Sequence, residues 1–328
     1  MNRNRALLFA SVAFAVAAAA GCYAGPAASG TFDRTLTVSG PVRIDLSNAA
    51  GDVQIVGAAD GKVHIHAEIR ASGFGFGSPK RRVDDLLANP PVQQSGSTIR
   101  IGKDMNGLRN VAISYQIEVP HDTEVSSNLA SGSQSIRQIQ GPVRTNSASG
   151  SLRVDHIDRE VRLRSASGSV DAFDVGDDVH ATSVSGSVDV RNSKGDVHTN
   201  AISGAIRVTR PGGRVDAVST SGTVEIVGAN NDVKAHAVSG RVSVEGNPGA
   251  NSYWELKTTS GSVELAVPSN ASFHLTAENV SGQIRADIPI VVEEQSKHSL
   301  RARVGSGGNR VEIRTVSGQI DVSPSQPR

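Results

Sequence analysis

The chain has one cysteine, few aromatic residues and almost no net charge, and each shortage excludes a class of protein. A single cysteine among 328 residues rules out an intramolecular disulfide framework. The 33 basic residues are balanced by 32 acidic ones, so the chain lacks the basic excess with which nucleic-acid binders neutralise phosphates. Aromatic residues make up only 3%, which leaves small aliphatic side chains to form the core.

Long apolar runs are also absent, except at the N-terminus. Two arginines precede residues 6–20, which are all small or apolar apart from one serine. A run this short after a basic start is typical of a cleavable signal peptide and too short for a comfortable membrane span. The run leads into Ala19-Ala20-Gly21-Cys22. This resembles a bacterial lipobox, with Ala19 where leucine is usual, and the resemblance implies that Cys22 is acylated and begins the mature chain.

The N-terminal organisation follows from that resemblance. Residues 1–21 are a lipoprotein signal peptide, and residues 22–31, rich in alanine, glycine and serine, are a lipid-anchored tether. Tyr23 after the cysteine implies passage to the outer membrane, where the exported protein faces the periplasm or the cell surface. The alternative is ordinary signal cleavage nearby, with Cys22 an incidental free thiol.

What the sequence does contain is a strict internal repeat. The dipeptide Ser-Gly occurs seven times at intervals of 18 residues between residues 131 and 240, and it returns at 260, 281 and 317. In six successive units, from Gly150 to Gly240, valine lies seven residues before the glycine and valine, leucine or isoleucine lies two residues after it, as in Val161 and Val170 around Gly168. Alternation of β-branched and polar residues indicates short strands, and glycine with serine indicates the corners.

A repeat of this length predicts an all-β parallel β-solenoid, or β-helix, with 18-residue coils that each hold two or three strands. The coils stack about 4.8 Å apart and follow a right-handed path. A β-sandwich is the competing architecture, but it would not demand an invariant period through seven units. Residues 32–325 are then one solenoid domain, and uncapped ends, if it has them, would allow end-to-end pairing.

Two segments depart from the repeat. Residues 71–91 are predicted to be a helical excursion, because Ser78-Pro79 supplies an N-cap and a first-turn proline and Asn89-Pro90 ends the apolar stripe. Its apolar stripe includes Val83, Leu86 and Leu87. Residues 287–309 are either a second excursion or an irregular coil.

The segment Tyr115–Pro120, followed by recurring Ser-Gly-x-Val-x-Val coils, resembles the bacterial putative adhesin family of β-solenoid envelope proteins. The similarity covers roughly residues 33–323. It implies the solenoid fold and a place in the cell envelope, and the family's name implies adhesion. It supplies no catalytic residue.

One set of side chains is a candidate for ligand binding. Arg144, Arg162, His180 and His198 occupy equivalent positions in successive coils and form a basic ladder on the outside of the stack. This ladder could contact an anionic polymer such as lipopolysaccharide or teichoic acid. The alternative is a solvated face, because basic and acidic residues alternate on the neighbouring strand.

The sequence gives little support for serine catalysis, metal binding or cofactor binding. The repeated serines, with no Gly-x-Ser-x-Gly elbow, indicate hydrogen bonding at the corners. His64 and His66 point to the same side of a strand, but no third metal ligand is placed near them. The sequence contains no cofactor motif that fits its context, so we expect neither metal nor cofactor.

The sequence therefore predicts a noncatalytic, lipid-anchored envelope protein. Its solenoid surface binds a protein or a glycan, or serves as a structural spacer. The alternative is a polysaccharide-active β-helix enzyme, whose cleft would have to lie in the irregular coils 245–310 because the coils before them have no insertions.

Overall fold

The structure, a computed structural model, describes residues 27–59, 61–73, 78–102 and 110–325. These residues form two long β-sheets and one helix. Sheet A contains fourteen strands and includes the strand after each Ser-Gly corner, and sheet B contains fifteen and includes the strand before it, counted over the described ranges. The predicted all-β solenoid is confirmed, with two strands in each coil.

The elements are, in chain order, β1 (Ala28–Thr37), β2 (Arg43–Asn48), β3 (Val53–Ala58), β4 (Lys62–Ala71), α1 (Pro79–Ala88), β5 (Val92–Ser95), β6 (Thr98–Ile101), β7 (Val111–Pro120), β8 (Glu124–Ser131), β9 (Gln134–Ile139), β10 (Val143–Ser149), β11 (Leu152–Ile157), β12 (Val161–Ser167), β13 (Val170–Val175), β14 (Val179–Ser185), β15 (Val188–Ser193), β16 (Val197–Ser203), β17 (Ile206–Thr209), β18 (Val215–Ser221), β19 (Val224–Ala229), β20 (Val233–Ser239), β21 (Val242–Gly246), β22 (Tyr253–Ser260), β23 (Val263–Val267), β24 (Phe273–Ser281), β25 (Ile284–Ala286), β26 (Ile290–Gln295), β27 (Ser299–Val304), β28 (Asn309–Ser317) and β29 (Ile320–Pro324).

The 18-residue repeat is the stacking register. In sheet B, Val143 pairs with Val161 in the next coil, and in sheet A, Leu152 pairs with Val170. All four side chains are buried. Each aliphatic residue therefore packs on its equivalent above and below, and burying it contributes about 1.5–3 kcal/mol.

The Ser-Gly corners stack backbone on backbone. Gly186 has a φ of +150°, and a Cβ atom placed on it would lie 2.1 Å from the carbonyl oxygen of Gly168. The Gly168 amide donates to the carbonyl of Ser185 in the next coil at 2.9 Å. Only glycine fits such a corner, and the serine contributes its carbonyl to the corner hydrogen bond.

Near the ends of several successive sheet A strands, one residue has a left-handed backbone conformation with positive φ. His156, Asp174 and Asn192 have φ angles between 52° and 57°, a region that Asn, Asp and His adopt more readily than other non-glycine residues. The resulting bend lets Val154 and Ile157 both face the core although they are three residues apart. The period-two pattern of the sequence did not reveal this bend.

The order of coils in space differs from chain order at both ends. In sheet B the strand order runs β6-β2-β8 at one end and β22-β28-β24 at the other. In sheet A it runs β7-β3-β9 and β23-β29-β25. The first coil of the chain (β2 and β3) and the last (β28 and β29) therefore each lie one coil in from an end.

Antiparallel strands cover the ends of the stack. β4 and β1 extend sheet A beyond β7, β5 extends sheet B beyond β6, and β27 and β26 extend sheet B beyond β24. The excursions thus add strands at both ends of the stack, while β25 stays the edge strand of sheet A at the C-terminal end. Residues 287–309 contain the β26–β27 hairpin. In the other excursion α1 begins at Pro79 after Ser78, and its buried Val83 and Leu86 face β1 and β4.

The predicted tether boundary needs a correction. β1 begins at Ala28, which pairs with Ala71 of β4, so residues 28–31 belong to a strand. The signal peptide and Cys22 lie outside the described residues, and their assignment stays a prediction. In the described part of the chain, no helix has the length and apolar character needed to span a membrane.

Candidate ligand-binding face

The outer face of sheet B consists of three columns of side chains that run along the stack. Each coil contributes one residue to each column, and neighbouring members pair in register. The first column is Ser126, Arg144, Arg162, His180, His198, Asp216, Lys234, Glu255, Glu312 and Thr276; the second is Asn128, Asn146, Arg164, Thr182, Asn200, Val218, His236, Lys257, Arg314 and Glu278; the third is Ala130, Ala148, Ala166, Val184, Ile202, Thr220, Val238, Thr259, Val316 and Val280.

The predicted basic ladder occupies the first column. Arg144, Arg162, His180 and His198 lie next to one another in this order. The two imidazole rings are stacked, with their centroids 4.9 Å apart and their planes 12° apart. The structure thus brings the four side chains together, while their role in binding stays a prediction.

Two glutamates neutralise part of this ladder. Glu124 Oε1 lies 3.2 Å from Arg144 Nη1, and Glu160 Oε1 lies 2.6 Å from Arg162 Nη2. Glu160 also lies 3.5 Å from His180 Nε2. Sequence reasoning missed Glu160 because it lies in the turn before β12, outside the columns. The arginines of the ladder are therefore already paired.

A shallow depression of about 280 Å³ lies beside the ladder, in the coils of Arg162 to Asp216. Its lining includes Arg164, Thr182 and Asn200 of the second column. None of these three side chains has a hydrogen-bond or ion-pair partner among the described residues. A guanidinium, a hydroxyl and an amide therefore keep their bonding capacity for a ligand.

Burial disfavours the charged form of one histidine of the depression, His180. Burial lowers the pKa of His180 below its ordinary value of 6.5, and the neighbouring His198 and Arg162 lower the pKa further. The carboxylates of Glu160 and Asp178 act in the opposite direction with smaller effect. An anion held here would favour the imidazolium form and raise the pKa again.

The repeat that builds this face is also what relates the chain to known proteins. The family model described as Toastrack DUF4097 matches residues 79–227 and 214–323. The chain belongs to this family. The match confirms the resemblance that the Ser-Gly coils predicted.

Two solved structures resemble the Toastrack chain at low sequence identity. One is titled a "putative cell adhesion protein" from Clostridium sporogenes ATCC 15579; the alignment covers 91% of this chain and 100% of that one, with 11% identity and a TM-score of 0.22. The other is titled a "putative adhesin" from Bacteroides fragilis NCTC 9343, with 89% and 97% covered, 14% identity and a TM-score of 0.32. Among curated proteins, none matches the chain.

Asp216 closes the depression of this Toastrack chain at its far end. Its Oδ2 lies 3.7 Å from Lys234 Nζ, while its Oδ1 is buried without a hydrogen-bond partner. The carboxylate would repel an anion. It therefore limits the part of the face that suits an anion to the coils of Arg162 to His198.

A larger groove of about 750 Å³ lies on the same face in the C-terminal coils. Among the described residues of its lining, Glu278 is the one carboxylate, and its Oε2 accepts from Arg314 Nε at 3.1 Å. The groove overlaps the region 245–310 where an enzyme cleft was considered. Hydrolysis of a glycoside needs two carboxylates across the scissile bond, and this lining does not bring two together. Valine side chains make much of its surface, namely Val218, Val238, Val280 and Val316.

The other histidine candidates do not assemble a metal centre. His66 Nδ1 bonds Asp33 Oδ1 at 2.7 Å, and His64 Nδ1 lies 3.1 Å from Thr35 Oγ1, on the outer face of β4. The tightest group of metal-type ligands in the described ranges is Asp155, His156 and Asp174, whose ligand atoms lie within 4.8 Å of one another. These side chains sit at the exposed bend of the sheet A strands, where such polar residues are common.

Proposed function

We propose that this Toastrack protein is a noncatalytic binding module of the bacterial cell envelope that holds an anionic glycan on the outer face of sheet B. The observation that carries the proposal is the depression in which Arg164, Thr182 and Asn200 have no partner. Unpaired donors that converge beside the stacked His180 and His198 rings favour an anionic ligand. The ligand class is a polymer with phosphate or carboxylate groups, such as lipopolysaccharide or teichoic acid.

The chemistry of each group suits such a ligand. A guanidinium binds a phosphate or carboxylate through two parallel hydrogen bonds, so Arg164 supplies both charge and orientation. The Thr182 hydroxyl and the Asn200 amide donate further hydrogen bonds to phosphate or sugar oxygens. Because equivalent side chains repeat about every 4.8 Å along the stack, a chain-like ligand that lies along the columns meets donors from several coils.

The proposed location in the cell envelope depends on the N-terminal sequence. An acylated Cys22 would tie the N-terminal end of the solenoid to the outer membrane through a tether of about five residues, which spans at most about 18 Å. The depression begins four coils from the N-terminal end of the stack, so it stands about 20 Å above that end. In this arrangement the binding face is clear of the membrane.

The proposal is tested by titrating a soluble form that starts at Ala24 and keeps every described strand. Lipopolysaccharide and purified teichoic acid are the probes, and isothermal titration calorimetry is the measurement. We expect saturable binding to at least one of them. Arg164→Gln combined with Thr182→Val should weaken that binding at least tenfold, because charge-assisted hydrogen bonds contribute about 1.5–3 kcal/mol.

The matched control is Arg137→Gln, since Arg137 is an exposed arginine without a partner in the described structure but lies on sheet A. Its binding should equal that of the parent. Equal losses in Arg137→Gln and in the sheet B variant would show only a general charge effect. Absence of binding to both probes would contradict the proposal.

A further inference from the structure

The third column of sheet B carries no charge along ten coils. Beside it runs the column formed by the serines of the Ser-Gly corners, which is also uncharged. We call these two columns together the corner strip. Its large apolar members are 44% to 69% exposed, and they are Val184, Ile202, Val238, Val280 and Val316.

This exposure is not the scatter that ordinary surfaces show. Each member of the third column lies directly over its equivalent in the next coil, so the aliphatic side chains form one row along the stack. Contiguous exposed apolar surface on a soluble domain marks an interaction site, whereas single exposed residues need no explanation. Within the third column, this aliphatic row is interrupted only by the hydroxyl groups of Thr220 and Thr259.

We propose that a second copy of this chain packs against the corner strip, with the two solenoids antiparallel. The spacing of side chains along the row favours a second stack of strands over an extended peptide as the binding partner. Side chains in the strip repeat about every 4.8 Å, whereas same-side residues of an extended peptide repeat about every 6.8 Å. An extended peptide laid along the strip falls out of step within a few residues, and another stack of strands stays in step over its whole length.

The distribution of charge favours a copy over an unrelated solenoid. In an antiparallel pair with its two-fold axis near Ile202, the centre of one strip faces the centre of the other. The flanking positions there are neutral, with Asn200 and Val218 on one side and Ser187 and Ala205 on the other. Self-pairing therefore brings no like charges together at the centre, where repulsion would cost most.

The area is sufficient for a weak dimer. With the axis near Ile202, nine coils overlap over about 43 Å, and the corner strip together with the corner glycine and the residue after it is four residues, or about 13 Å, wide. Each copy would bury about 560 Å², or about 1,100 Å² in total, which is just above the roughly 1,000 Å² expected of a specific interface. The dimer should therefore be reversible.

Sedimentation equilibrium of the soluble form from Ala24 tests the pairing. The parent should fit a monomer–dimer equilibrium. Ile202→Lys combined with Val238→Lys should raise the dimer dissociation constant at least tenfold, because two ammonium groups would be buried at the interface. Thr209→Lys combined with Val227→Lys places the same charges outward on sheet A, and this control should dimerise like the parent.

A cross-link locates the contact. The soluble form lacks Cys22, so Ser203→Cys supplies its only thiol. Near the two-fold axis this thiol meets its own equivalent, and mild oxidation should give a disulfide-linked dimer. Thr209→Cys on the opposite sheet should give none. A parent that stays monomeric, a dimer that survives both lysines, or equal cross-linking at the two cysteines would overturn the inference. Glycan binding by the lysine variants separates this outcome from a failure of the proposed function.

Discussion

At the scale of single residues, the corner glycines differ sharply from an exposed glycine such as Gly61. The positive φ and the carbonyl oxygen of Gly168 in the preceding coil both exclude a side chain at Gly186. A Cβ on Gly61, by contrast, would meet no atom within 4 Å. The two positions therefore form a natural test of the backbone-on-backbone stacking.

Gly186→Ala should lower the free energy of unfolding by at least about 2 kcal/mol, since it adds backbone strain to a steric clash in the middle of the stack. Gly61→Ala should leave it unchanged within about 0.5 kcal/mol. Urea unfolding followed by circular dichroism measures both. Similar midpoints for the two variants would contradict the account of the corners.

Residue-level prediction from the sequence succeeded where the chemistry of a column repeats. Val161 and Val179 recur at fixed intervals, and both are buried as the alternation predicts. The bend at His156 and Asp174 was missed because its members share a backbone angle and no common side chain. Arg164 was missed for a similar reason, since its column mixes asparagine, arginine and threonine. Its lack of a partner can be seen only in three dimensions.

At the scale of elements, the last strands of the chain lie inside the stack. β28 and β29 pair with β22 and β23 on one side and with β24 and β25 on the other. β1, at the other terminus, is an edge strand that pairs with β4 alone. The two termini therefore contribute unequally to the core.

A chain that ends at Gly305 should lose much of its C-terminal order, because it removes an interior coil, leaves β25 without a partner and leaves β24 paired with β27 alone. A chain that starts at Val38 removes only the edge strand β1 and should keep the cooperative unfolding of the remainder. Hydrogen exchange of β22 and β23 compares the two truncations. Greater loss of protection there in the chain from Val38 would contradict the strand order.

The sequence could not predict this order. Every coil matches one template, so the pattern shows which residues face inward but not which coil lies next to which. The C-terminal cap was hidden for the same reason: β27 alternates apolar and polar residues like any other strand, and only the antiparallel pairing of β26 and β27 shows that they extend an end. The helix, by contrast, was predictable from Ser78-Pro79 and its apolar stripe.

At the scale of the whole molecule, the proposed function includes a lipid anchor at Cys22. Cys22→Ser removes the thiol that acylation requires, so the protein should move from the membrane fraction to the soluble fraction of the cell. Immunoblots of the two fractions measure this, and Ser29→Ala in the strand after the tether is a control that should stay membrane-bound. Continued membrane association of Cys22→Ser would contradict the lipoprotein assignment.

We also expect the affinity of the sheet B face for an anionic glycan to depend on pH. The folded protein disfavours the charged form of His180, whose pKa lies below 6.5, and a bound anion would favour that form. Binding of an anionic glycan is then accompanied by proton uptake, so affinity increases as the pH falls toward the pKa of His180. The same shift makes the unliganded fold slightly less stable in acid, so folding is checked at each pH.

The most direct test of the binding face is therefore calorimetric titration with lipopolysaccharide or teichoic acid at pH 7.5 and pH 5.5. The account predicts that affinity rises at the lower pH, by up to about tenfold for each unit by which the anion raises the pKa of His180, and that His180→Gln combined with His198→Gln abolishes the rise while Arg137→Gln does not. Equal affinity at the two pH values, or a rise that survives the loss of both histidines, would contradict the claim that this face of the solenoid binds an anionic glycan.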